Sequence, residues 1–153
     1  MSRDARVPQR RSQRGTALVE VTWLSVLLLV PLVYVVLAVF EVQRAAFAVS
    51  AATRAAARAY SLAPSQAAGE GRARAAAAVA MADQGLAATR GTFEVSCRPT
   101  PGSCLSPGSV IDVEISYPVV LPLVPDALGG GAPSIRVQAG HRVPYGDYRE
   151  ERP

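Results

Sequence analysis

The sequence predicts a membrane-anchored α+β protein. It reads as an N-terminal transmembrane helix extended into a long amphipathic helix, then a second alanine-rich helix and a small three-stranded antiparallel sheet. Three observations predict it. Val21 to Phe40 is a run of twenty residues without Asp, Glu, Lys, Arg or His, which as a helix is about 30 Å long, the thickness of a bilayer's hydrocarbon core. From Glu41 to Tyr60, and again from about Gln66 to Ala88, alanine dominates, and alanine is the strongest helix former. After Gly91 the pattern changes to strict alternation of apolar and polar residues, the signature of half-buried strands.

Four segments follow in order: a basic leader (1–15), the span and its extension (16–60), an α+β head (61–143) and a charged, flexible tail (144–153). All sixteen basic residues are arginine. Five of them (Arg3, Arg6, Arg10, Arg11, Arg14) precede Gly15 against the single acid Asp4, so the leader carries the whole formal net charge of +4. The rest of the chain is neutral. A basic pI ordinarily raises nucleic-acid binding, but here it is a property of the leader, and a nucleic-acid partner is not expected. Basic flanks stay on the cytoplasmic side of a span. The expected topology is therefore a single pass through the cytoplasmic membrane, N-terminus inside and head outside.

The span contains Pro31, which membrane helices tolerate when neighbours compensate. Trp23 and Tyr34 fit either interface anchors or packing residues. A cleaved secretory signal is the competing reading, with Ala46-Phe47-Ala48 as a loose cleavage match. The run exceeds the roughly 7–15 apolar residues of such signals, which favours a retained span. Beyond it, Glu41, Arg44, Arg54 and Arg58 gather on one side of the helix and Val42, Val49, Thr53, Ala56 and Tyr60 on the other, with Phe47 off the pattern. A rod of small residues suits close approach of another helix and equally suits docking on its own head. In the second helix, entered near Ser65, Gly69 and Gly71 weaken the first turns and Gly85 marks an end. Its few large apolar residues (Val79, Met81, Leu86) require a partner surface.

Three strands are expected: Phe93, Val95 and Cys97 on one face of the first; Ile111, Val113, Ile115 and Tyr117 of the second; Ile135, Val137, Ala139, His141 and Val143 of the third. Asp112 and Glu114 fall outward, placed to pair with outward arginines of the third strand for at most about 1 kcal/mol each. Residues 98–104 carry turn chemistry, and a Cys97–Cys104 disulfide would pin that hairpin if the head faces an oxidising side; two reduced thiols are the alternative. The stretch Val119 to Asp126, with Pro122 and Pro125 and Pro118 just before it, is excluded as a central strand. Gly129-Gly130-Gly131 lacks the spacing of a phosphate cradle.

Catalytic chemistry is not legible. His141 is the only histidine and falls on an apolar strand face. The cysteines lack Cys-x-x-Cys spacing, and no nucleophile has a recognisable base, so neither enzyme, metal nor cofactor is expected. Glu20 stands apart. A carboxylate at the mouth of an apolar helix needs an interface or a partner, although acids also favour helix N-termini simply by complementing the dipole.

Arg14-Gly15-Thr16-Ala17-Leu18-Val19-Glu20 followed by Val21–Phe40 resembles the type IV pilin-like N-terminus, in which a prepilin peptidase cuts after the glycine. More closely, residues 15–58 resemble the TadE-like (TadE/TadG) family of tight-adherence pilus proteins. The shared features are an Arg-Gly-x-x-x-Val-Glu motif, an apolar run with a proline, and an alanine- and arginine-rich end, here residues 51–58. Val21 stands where that family commonly has an aromatic residue. The resemblance covers about a third of the chain. It implies a minor pilin-like (pseudopilin) component, processed between Gly15 and Thr16, whose Glu20 neutralises the freed ammonium of Thr16 or of a neighbouring subunit. Other pilus subunits or assembly proteins and the peptidase would be its partners. An unprocessed single-pass protein whose head binds a secretion or envelope partner is the alternative.

Overall fold

In the computed structural model, residues 13–121 and 133–152 are described, with side chains from Ala17 onward. The expectations for the leader before Gln13, for Pro122 and Pro125, and for Gly129-Gly130-Gly131 lie outside the described residues. Helix α1 spans Gln13–Ser61, α2 spans Gln66–Ala82, and a single 3-10 turn, Ala88–Arg90, leads into strands β1 (Thr92–Arg98), β2 (Val110–Val120) and β3 (Ser134–Pro144). The chain forms two compact units, one up to Leu37 and one from Ala38 onward.

The second unit, the head, owes its packing to the small residues of α1. Ala45, Ala48, Ala52 and Ala56 are at most 1% exposed, and Val49 and Tyr60 share their stripe. Of the two uses open to a rod of small residues, this face serves docking on the chain's own head. Thr53 is buried in the same stripe, with its hydroxyl donating to the Ser50 carbonyl at 3.0 Å. The opposite face carries Arg54, Arg58 and the exposed Phe47.

Ser65 caps α2, its Oγ accepting from the Ala68 N–H at 3.3 Å. The helix ends at Ala82, six residues before the expected Ala88. Gly85 adopts φ +70°, a left-handed conformation that stops a helix, and the Leu86 N–H turns back to the Met81 carbonyl at 3.0 Å. Its buried face is Gly69, Ala73, Ala77 and Met81; Val79, expected to seek a partner surface, is 63% exposed. Gly69 has a positive role where the sequence suggests only weakness. A Cβ there would meet the Tyr60 ring at 3.2 Å, so the missing side chain lets the ring lie flat against the first turns of α2.

Burial, and secondarily Glu70, raises the Tyr60 hydroxyl above its ordinary pKa of 10.0. A folded-state value above the unfolded one gives stability that is complete below about pH 10 and lost as pH rises through the folded value. Thermal melts should therefore fall at alkaline pH more steeply in the wild type than in Tyr60→Phe.

The sheet order is β1-β2-β3, antiparallel throughout. Ile111, Val113 and Ile115 on the central strand are at most 2% exposed, while Phe93, Val95, Val137 and Ala139 on the flanking strands are half-buried. Ile135, expected inward, is 45% exposed at the far end of β3. The expected cross-strand pairing forms: Arg142 Nε lies 2.8 Å from Asp112 Oδ2, and Arg98 joins from β1 at 3.2 Å.

Two expectations fail. The central strand β2 runs through Pro118 to Val120, into the stretch excluded on its prolines. β1 stops pairing at Ser116, so Pro118 has only β3 beside it, opposite Arg136, and one-sided pairing is where a strand accepts proline. The chain after Pro144 is not the loose tail its charge suggested. Tyr145 is 2% exposed, its N–H bonds the Ser109 carbonyl at 2.8 Å and its hydroxyl donates to the Glu150 carbonyl at 2.8 Å. Arg149 and Arg152 donate to the carbonyls of Ser61 and Ala63, each at 2.9 Å.

Cys97 and Cys104 are bonded, with Cα atoms 5.2 Å apart, and both are buried. The connection they pin is longer than residues 98–104, because β2 starts only at Val110. The Ser109 hydroxyl donates to the Cys104 carbonyl, and the Cys104 N–H reaches the Gln66 side chain at 3.3 Å. Replacing both cysteines with alanine should cost about 2–3 kcal/mol, the closure entropy of so short a loop, read as a lower denaturation midpoint.

Candidate functional site

The residues singled out by sequence fall in two places. Gly15, Thr16, Glu20, Val21, Pro31 and Phe40 lie on the one continuous helix α1; Cys97 and Cys104 close the loop of the head.

Uninterrupted helix over this segment follows from its composition. Between Ala17 and Phe40, Glu20 is the only charged side chain, and leucine and valine leave no turn signal. Pro31 sits inside the helix, at the cost of the bond its missing N–H would give to the Leu27 carbonyl. The two small polar residues near the start satisfy themselves: the Thr22 hydroxyl donates to the Leu18 carbonyl at 2.8 Å and the Ser25 hydroxyl to the Val21 carbonyl at 2.7 Å. Such back-bonding hides a hydroxyl from an apolar surrounding.

Apolar side chains point outward all round. Leu24, Leu28 and Leu32 are 56%, 73% and 57% exposed, Trp23 is 68% and Phe40 64%. A helix apolar on every side belongs in a protein core or in lipid, and nothing in the described chain covers this one. It is long and apolar enough to cross a membrane. Trp23 is thus not a packing residue within this chain, while Tyr34 is partly covered.

Glu20 is exposed and has no ion-pair partner among the described residues. The backbone of Gly15 and Thr16 is helical, α1 beginning at Gln13. Thr16 and Glu20 are four residues apart, hence neighbours on one helix face about 6 Å apart along the axis. The arrangement holds one carboxylate at the polar end of an otherwise uncharged apolar rod.

In the head, His141 is half-buried on β3 opposite Val113. Among the described residues no three of His, Cys, Asp or Glu gather in a metal-holding group. Sequence reasoning missed the contacts that close the head: Gly69 against Tyr60, Gln66 to Cys104, and Tyr145, Arg149 and Arg152 to the loop and the helix corner. Only Tyr145 gave a signal, as an aromatic flanked by Pro144 and Gly146 in a charged stretch.

Comparison with protein-family models, with curated proteins and with solved structures returns no match to this chain.

Proposed function

We propose that the protein is a minor pilin-like component of a tight-adherence pilus assembly system, structural rather than catalytic. It is held in the cytoplasmic membrane by residues 21–40, with its N-terminus in the cytoplasm and its head outside. The observation that carries this reading is the register of residues 14–20, arginine-glycine and then a lone glutamate on the fifth residue after the glycine, set directly before the uncharged run.

Cleavage after Gly15 removes the entire excess of positive charge and frees an ammonium on Thr16, one turn from Glu20. In lipid an amine and a carboxylate each need a partner, so pairing within or between subunits fixes the depth and register of packed helices. The first four N–H groups of a helix have no intrahelical acceptor. The turn containing the scissile bond therefore opens at little cost for a peptidase.

Mature protein from the native host should lack Met1–Gly15 by intact-mass measurement, and Gly15→Ala should retain it. A wild-type chain that keeps the leader would instead be an unprocessed single-pass protein whose head binds an envelope partner.

A further inference from the structure

The processing reading leaves one face of the head without a use. β1 pairs with β2 through seven residues in unbroken register and has no other strand beside it among the described residues. Alternate N–H and C=O groups of such an edge point away from the sheet and template a further strand. Beside this edge runs an apolar groove of about 350 Å³, lined by Ala77, Ala78 and Met81 of α2 and by Phe93 and Ile115 of the sheet. The Arg74 guanidinium, 5.1 Å from the Phe93 ring centroid, forms part of its rim.

The opposite face of β1 is acidic. Glu94 stands directly across from Glu114, and neither forms an ion pair among the described residues, whereas the neighbouring Asp112 takes two arginines. Next to Glu114 on β3 comes Gly140, which supplies no side chain to shield it. Like charges directly opposite on a ladder destabilise a sheet, and the head offers these two no counter-charge.

We propose that the β1 edge receives a strand from a partner protein, an extended segment alternating apolar and basic residues. Its backbone continues the ladder, its apolar side chains enter the groove beside Phe93, and an intervening lysine or arginine lies against Glu94. Charge complementarity selects this occupant: an acidic strand would be repelled by the Glu94–Glu114 pair. An exposed ion pair adds little affinity, so backbone pairing and the groove supply the binding while Glu94 supplies the choice of partner.

The test uses the full chain in detergent micelles and a fluorescent peptide alternating valine and arginine, read by anisotropy. Saturable binding is expected for this peptide and none for its valine–glutamate counterpart or for a version N-methylated at alternate residues, which cannot continue the ladder. Glu94→Arg should weaken binding about tenfold, attraction becoming repulsion, and Ala78→Trp, which fills the groove, should weaken it similarly. Because the new guanidinium faces Glu114, Glu94→Arg should melt no lower than wild type, which separates lost binding from lost folding. Equal binding of the acidic or N-methylated peptide, or no binding of the basic one, overturns the proposal. So does self-association of the peptide-free chain that Glu94→Arg abolishes, which would give the edge to a second copy.

Discussion

Tyr60→Ala should lower the stability of the head by about 3–5 kcal/mol, the usual cost of removing a large buried aromatic side chain. Tyr60 is 2% exposed where α1 meets the first turns of α2. Its ring lies against a position with no side chain of its own, since a Cβ on Gly69 would come within 3.2 Å of three ring atoms. The neighbours cannot collapse into the void, because the surrounding residues of α1 and α2 are alanines, already short and already buried. Guanidinium denaturation of the full chain in detergent, followed by near-ultraviolet circular dichroism, reads the loss as a lower midpoint at unchanged slope. Gly69→Val approaches the same contact from the other side and should cost about 1–3 kcal/mol by overpacking. A loss below about 1 kcal/mol for Tyr60→Ala would mean that this contact does not hold the helix pair together.

Tyr145→Ala is the second large effect, about 3 kcal/mol or more. Tyr145 is among the largest fully buried side chains of the head, and it brings the chain after β3 back over the disulfide loop. Its removal takes away apolar burial and also the anchor for the backbone bond from Arg152 N–H to the Leu105 carbonyl at 3.0 Å. Hydrogen exchange should show protection lost first at Leu105–Ser109 and at the 61–63 corner, and only later in β2. Uniform loss across the head would instead mean that the head unfolds as one unit.

The outline of the fold was legible because its signals are periodic. Twenty uncharged residues give a long helix, and alternation in 111–117 and 135–143 gives strands whose faces and ion pairs form as expected. What was not legible is what depends on distance in space. Pro118 argues against a central strand until β1 is seen to stop at Ser116, leaving one neighbour. Gly69 reads as a weak helix former until the Tyr60 ring is placed against it. The charged stretch after Pro144 reads as solvated because its partners, the carbonyls of Ser61 and Ala63, are backbone groups that no side-chain pattern reveals. The candidate site shows the same division. Residues 14–40 could be read directly, since an apolar helix is defined by composition, whereas the β1 edge emerges only once strand order is known.

The two arginines that hold the 61–63 corner have a consequence for how the head is made. Arg149 and Arg152 come 88 and 89 residues after the carbonyls they bind. At translation rates of about 5–20 residues per second, roughly 4–18 s separate synthesis of that corner from synthesis of its partners. During that interval the carbonyls at the end of α1 can bond only to water or to a chaperone. The head therefore closes at this corner as one of its last steps.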